Sequence, residues 1–187
     1  MYNYYYWTNF FKKDQIEKVT NFCDKNYVKF EDPKNGATDS LNNLKKNSTV
    51  KLVRWNDIKH LLNDIQETVI DTNYNHFGFN LNNFTNTTEI LYNTYSSKNN
   101  EKYDWHIDTT LKVPLIDVKL TLLLNISTDN YEGGEFELND GNVFKVREFS
   151  KPGDMILFRS YLLHRVLPVT KGERKSLAIF FTGPKFI

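Results

Sequence analysis

The stretch His164-Arg-Val-Leu-Pro-Val-Thr-Lys-Gly-Glu-Arg-Lys-Ser176 decides how the second half of the chain is read. Its opening part, His164–Val169, is apolar and of strand length, Lys171-Gly-Glu173 is a turn, and Lys175–Thr182 is again an apolar run of strand length. Arg174 therefore enters an apolar strand, with Ser176 at the next position on the same face, because alternate strand residues project to one side. An unpaired buried guanidinium is costly, so Arg174 needs an anionic partner. Two partners suit it: an Asp or Glu at a sheet edge, or a bound dicarboxylate. The far carboxylate of such a ligand would take a bidentate pair from Arg174 and a hydroxyl bond from Ser176.

Outward from this stretch the pattern is the same. Short runs of strand length cover Glu89–Tyr95, Tyr103–Ile107, Val118–Ile126, Glu135–Leu138, Asn142–Val146 and Asp154–Phe158, with Gly, Asn or Asp turns between them. Many short strands so punctuated indicate a sandwich or barrel. Upstream, Tyr2–Phe10 is dense in aromatic residues and reads as a strand. Ile16, Val19, Cys23 and Tyr27 recur at helical spacing behind Asp14 as N-cap. After a short strand, Leu52–Trp55, a second helix carries Ile58, Leu61, Leu62, Ile65 and Val69 as one core stripe behind Asn56 or Asp57. Between the helices, Asp32–Thr49 is polar and broken by Pro33 and Gly36, a long surface loop that is either a lid or an idle insertion.

Composition narrows the function classes. A chain of 187 residues fits one domain, and 14 Phe, 11 Tyr and 3 Trp fill its core. Lys and Arg number 24 against 23 Asp and Glu, with no segment of one sign, so neither a nucleic-acid stripe nor a polybasic membrane patch is expected. Cys23 is the only cysteine, which excludes an internal disulfide and a thiolate metal cluster, and its place on an apolar helix face reads as an inert thiol. The first ten residues lack a basic segment followed by an aliphatic one, and no apolar run approaches the roughly 20 residues that span a bilayer. The expectation is a soluble, cytoplasmic protein.

Among the four histidines, His60 falls on the second helix and His76 just beyond it, where both read as structural. His106 differs, because Asp108 stands two positions later in Tyr103-Asp-Trp-His-Ile-Asp108. In extended backbone the two side chains share a face and can meet one metal ion. His164 can supply a third ligand if its strand packs opposite. Two His and one carboxylate hold Fe(II) while leaving coordination positions open for a co-substrate and O2. His-x-Asp alone is a weak signal, so its context decides.

That context resembles the Fe(II)/2-oxoglutarate-dependent dioxygenases, within them the prolyl-hydroxylase-like branch, over about residues 90–184. A Tyr-bearing strand with Tyr92 leads into Tyr103-Asp-Trp-His106-Ile-Asp108. The strand Leu120–Asn125, the turn Glu132-Gly-Gly-Glu-Phe136, the turn Pro152-Gly-Asp154 and the string from His164 to Ser176 then follow in order. The resemblance implies a mainly β fold, a double-stranded β-helix or jelly-roll, cupin-like, at about 84–187, supported by N-terminal helices at about 1–80 within a single domain 1–187. It implies Fe(II) on His106, Asp108 and His164, 2-oxoglutarate on Arg174 and Ser176, O2 as oxidant, and ascorbate as a supporting reductant. Tyr92 and Tyr103 match positions of aromatic residues beside the co-substrate, Tyr103 as a hydroxyl donor to its carboxylate, with core packing as the alternative for Tyr92. Trp105, Arg165 and Phe180 are near enough in the motif to shape the pocket, and a tyrosine common in the family is absent from the strand carrying Leu122.

The implied reaction couples oxidative decarboxylation of 2-oxoglutarate to hydroxylation of an unactivated C–H bond, of a prolyl residue in a peptide or protein. The alternatives are a small molecule or another side chain, or a non-catalytic cupin-like module that keeps a metal. A nucleic-acid demethylase is disfavoured, because no second arginine follows Arg174.

Overall fold

The longest strand, β13 (Glu173–Pro184), lies in mid-sheet because both of its faces are apolar. It pairs antiparallel with β4 (Glu89–Ser96) on one side and with β6 (Ile116–Asn125) on the other. The computed structural model describes residues 3–31, 45–62, 64–86, 88–108 and 115–185. Beyond β4 the sheet continues through β3 (Thr49–Arg54) to β2 (Lys29–Glu31); beyond β6 it continues through β10 (Met155–Arg159) to β1 (Tyr4–Trp7). A four-stranded sheet faces it, ordered β5 (Tyr103–His106), β11 (Leu163–Val166), β8 (Phe136–Asn139) and β9 (Val143–Lys145). A short pair, β7 (Glu132–Gly133) with β12 (Val169–Lys171), links the two at one end. This is the jelly-roll that the resemblance implied, within the sandwich-or-barrel class indicated by the strand pattern.

Two apolar cores follow from the layers. Leu122, Leu124, Leu177 and Ile179 point away from the small sheet and pack against α1 (Lys13–Lys25), α2 (Trp55–Ile58) and α3 (Ile65–Thr72) through Ile16, Val19, Ile58, Ile65 and Val69. Leu123, Ala178, Phe136, Leu138 and Phe158 fill the space between the sheets. The helices buttress one face of the large sheet, and the other face is left for the site. No helix of the described residues is long and apolar enough to cross a membrane.

The helical half departs from expectation in several places, one being that α2 starts at Trp55 behind Arg54 and not behind Asn56 or Asp57. Lys12, not Asp14, stands at the N-cap of α1, where its amide donates to Gln15 Oε1 at 2.9 Å; Asp14 lies in the first turn, on the positive end of the helix dipole. Tyr27 lies past the helix end and is 45% exposed. The expected second helix is broken into α2, a 3-10 turn at Lys59–Leu61, and α3. Its stripe survives the break, since Ile58, Leu62, Ile65 and Val69 remain buried while Leu61 moves to the edge. Asp64, whose side chain competes for backbone hydrogen bonds in a helix interior, stands at the N-cap of α3. Most of the Asp32–Thr49 loop, residues 32–44, lies outside the described residues, and with it the question of a lid.

The turn Pro152-Gly153-Asp154 ties the N-terminal segment to the barrel. Gly153 adopts φ +87°, its carbonyl accepts from Phe10 N at 2.8 Å and Phe11 N at 3.2 Å, and a Cβ there would collide with the Phe11 carbonyl oxygen. The Asp154 carboxylate accepts from Asn9 N at 2.9 Å, Ser150 N at 3.2 Å and Lys151 N at 2.6 Å. The turn thus sets where β10 begins, beside β6.

Candidate active site

Antiparallel pairing of β11 with β5 places His164 directly across from His106. Asp108, just past the end of β5, is held by its amide, which donates to Ser160 O at 2.9 Å. The three side chains converge: His106 Nε2 lies 3.6 Å from Asp108 Oδ1, His164 Nε2 lies 3.3 Å from Asp108 Oδ2, and all three donor atoms fall within 4.8 Å of one another. That separation suits side chains that share one divalent ion.

The ring orientations are set by the backbone. His106 Nδ1 donates to Asp104 O at 2.8 Å, and His164 Nδ1 donates to Leu162 O at 2.9 Å. A carbonyl can only accept, so each Nδ1 carries a proton and each Nε2 is turned toward the common point. Burial, reinforced by the neighbouring His164, pushes His106 down to about 3, so this ring is neutral near pH 7. Burial alone would raise the Asp108 carboxyl, but the His164 ring and the Thr121 hydroxyl, which donates to Oδ2 at 2.9 Å, hold it below its ordinary value. A carboxylate, a neutral His106 ring and a His164 ring aimed at the same point are a donor set suited to a divalent ion. Tyr103 stacks on His106 with ring centroids 3.4 Å apart, and Phe158 meets His164 edge-on at 4.7 Å.

On the large sheet, Arg174 is 1% exposed. Its Nη1 donates to Ser176 Oγ at 3.2 Å, and its guanidinium lies 5.5 Å from the Tyr95 ring and 5.6 Å from the Phe149 ring. Among the described residues no carboxylate lies within ion-pair distance of it. The sheet-edge Asp or Glu weighed as its partner is therefore not among them, and a buried cation is left facing a cavity. Room for that side chain comes from the Gly-Gly turn. Gly134 has φ +65°, and a Cβ on it would stand 2.8 Å from Arg174 Cδ.

The cavity, of about 40 Å³, lies between the sheets and joins the two halves of the site. His106, Asp108 and His164 line it with Arg174 and Ser176, and Lys46, Asn93, Tyr95, Tyr103 and Phe180 complete most of its wall. A wider surface groove of about 480 Å³, lined by Tyr131, Val146, Phe149 and Lys151 among others, holds none of the candidate ligands.

Tyr92 is placed elsewhere, which corrects its assignment to the co-substrate side. Strand alternation turns Leu91, Asn93 and Tyr95 into the cavity and Tyr92 out of it, so the Tyr92 hydroxyl donates to Asp24 Oδ1 on α1 at 3.1 Å. Tyr95, which pairs in register with Arg174, is the aromatic residue that sequence reasoning missed; it stands three positions after Tyr92, so the period of two sets it on the opposite face of the strand. Trp105 and Arg165 also turn away: the Arg165 guanidinium covers the Trp105 ring at 4.5 Å and its Nε donates to Glu137 at 2.7 Å. His60 meets Phe22 edge-on and His76 stacks on Tyr5, both far in role from the cavity.

Comparison with known proteins agrees with this geometry. Residues 90–182 match the model of the 2OG-Fe(II) oxygenase superfamily. A PKHD-type hydroxylase of Rhizorhabdus wittichii is 37% identical over 99 residues, which cover 49% of this chain and 40% of that protein. The chain thus spans well under half the length of this curated relative. Among solved structures, a Pseudomonas putida prolyl-4-hydroxylase superposes with a TM-score of 0.71 at 15% identity, over 97% of this chain and 92% of that one. A Trichoplax adhaerens prolyl hydroxylase, in complex with a hypoxia inducible factor peptide fragment, superposes with a TM-score of 0.66 at 17% identity, over 96% and 83%. At these identities the two structures speak for the fold.

Proposed function

We propose, from the premise that residues 90–182 belong to the 2OG-Fe(II) oxygenase superfamily, that the chain hydroxylates an unactivated C–H bond of a prolyl residue in a peptide or protein. The family's Fe(II), 2-oxoglutarate and O2 serve the reaction, with ascorbate as the accessory reductant. One observation carries the reading: a buried arginine without an anionic partner among the described residues shares a cavity with a His-Asp-His cluster. A metal kept only for stability would need no such cation beside it.

In this reading His106, Asp108 and His164 hold the iron on one side, each Nε2 aimed by the carbonyl that its Nδ1 engages, and Thr121 fixes the carboxylate. Arg174 and Ser176 take the far carboxylate of 2-oxoglutarate, and Tyr95 and Phe149 shield that pair from water. Tyr103 backs the His106 ring. Bound iron with 2-oxoglutarate and O2 supplies the oxidising power; the chain's part is to position the target carbon and exclude stray reaction. The whole of residues 1–187 serves as one domain, the helices bracing the sheet that carries Arg174.

A peptide target is supported by the resemblance of this chain to the prolyl-hydroxylase-like branch. The PKHD-type hydroxylase and the two prolyl hydroxylases point the same way. The test is succinate formation from 2-oxoglutarate with Fe(II) and ascorbate, followed by a proline-containing peptide library screened for a gain of one oxygen by mass spectrometry. Absence of turnover together with tight retention of zinc would overturn the enzyme reading. Oxidation confined to small molecules would overturn the peptide target.

A further inference from the structure

The residues just before β3 carry a second cation into the cavity. The segment 45–47 is laid along β5: Asp104 N donates to Lys45 O at 2.8 Å, Lys46 forms a bridge with Tyr103, and Lys102 N donates to Asn47 Oδ1 at 2.7 Å. Lys46 thereby crosses the Tyr103 ring, with Nζ 4.8 Å from its centroid, and donates to Asn93 Oδ1 at 3.1 Å. Asn93 is 4% exposed and faces Ser176 in the register of β4 with β13. Tyr103 stacks on His106. The ammonium therefore stands at the level of Ser176, between the row that carries the arginine and the ring that backs the metal cluster.

We propose that Lys46 is a second cationic contact for the dicarboxylate co-substrate, held ready by Asn93 and Tyr103; the proposal rests on the 2-oxoglutarate reading above. The charged residues that line the cavity are two cations, Lys46 and Arg174, and one carboxylate, Asp108. A divalent ion adds further positive charge. A ligand with two carboxylates would bring one to the metal end and the other to Arg174 and Ser176, and carboxylate lone pairs remain for a compact ammonium. Lysine has three donors, so it keeps Asn93 and still turns a proton toward a carboxylate oxygen.

The experiment uses the full chain loaded with Mn(II) without O2, titrated calorimetrically with 2-oxoglutarate, for the native protein and the Lys46→Met, Lys46→Gln and Lys46→Arg variants. Mn(II) affinity and thermal midpoint are recorded for each. Losing one hydrogen bond between charged groups predicts a weakening of about ten- to a hundredfold for Lys46→Met and Lys46→Gln. Mn(II) affinity should stay unchanged, and Lys46→Arg should recover most of the 2-oxoglutarate affinity. Equal 2-oxoglutarate affinity in native protein and Lys46→Met overturns the assignment. So does a joint fall in Mn(II) affinity and thermal midpoint that Lys46→Arg does not repair, since Lys46 would then be a prop for β5. If the native protein itself binds Mn(II) but no 2-oxoglutarate, the functional reading fails, and Lys46 falls with it.

Discussion

Replacing Gly134 by alanine tests whether the Gly-Gly turn exists to seat Arg174. At φ +65° an alanine costs about 1–2 kcal/mol relative to a right-handed conformation. The new Cβ would stand 2.8 Å from Arg174 Cδ and 3.0 Å from Val169 Cγ2, whereas carbon atoms prefer about 3.5–4.0 Å. Val169 is β-branched and stiff whereas Arg174 is a long, flexible chain beside a cavity, so the side chain that yields is Arg174, by roughly 1 Å. Its bond to Ser176 is already 3.2 Å long and would not survive that shift. A charge-assisted bond is worth about 1.5–3 kcal/mol, so 2-oxoglutarate should bind Mn(II)-loaded Gly134→Ala roughly 10- to 150-fold more weakly. Urea unfolding reports the backbone cost, and calorimetric titration reports the binding cost. A variant that loses stability by the expected amount and binds 2-oxoglutarate like the native protein would refute the argument, because the backbone strain would then be real and the contact with Arg174 irrelevant.

Other substitutions separate the two halves of the site. Asp108→Ala should abolish Mn(II) binding, whereas Arg174→Ala should keep Mn(II) and lose saturable 2-oxoglutarate binding, both read by calorimetry; full turnover in either variant would sink the residue assignments. Thr121→Val keeps the volume but removes the donor to Asp108 Oδ2, and Mn(II) affinity should fall about 10- to 100-fold; unchanged affinity would leave Thr121 as packing only. Tyr92→Phe should cost about 1 kcal/mol of stability through the lost bond to Asp24, with 2-oxoglutarate binding untouched, so a loss of co-substrate affinity would restore Tyr92 to the site.

The β half was readable because strand signals are local. The runs from Glu89 to Thr182 are set off by turn residues, and the strands observed agree with them within a few positions at their ends, apart from the short pair β7 and β12, which was not expected. The helical half was less so. The stripe of Ile58, Leu62, Ile65 and Val69 was plain, yet the same burial is achieved by two short helices and a 3-10 turn, because the large sheet selects which side chains are covered and tolerates a break between them. Hydrophobic periodicity reports the face that is buried, not the continuity of the backbone behind it.

The site divides along a similar line. His106 and Asp108 could be paired from spacing alone, since i and i+2 on extended backbone share a face whatever surrounds them. The anchor depends on register between strands far apart in the chain: Tyr95 faces Arg174 only because β4 pairs with β13 as it does, and Gly134 clears Arg174 only because β7 and β12 meet at that end. Arg174 could be singled out from sequence because a cation inside an apolar strand contradicts its setting. Its neighbours could not, because a buried tyrosine and a turn glycine each have an ordinary reason to be there. A residue in conflict with its local environment advertises a ligand, whereas the residues that accommodate it stay hidden until the sheet is folded.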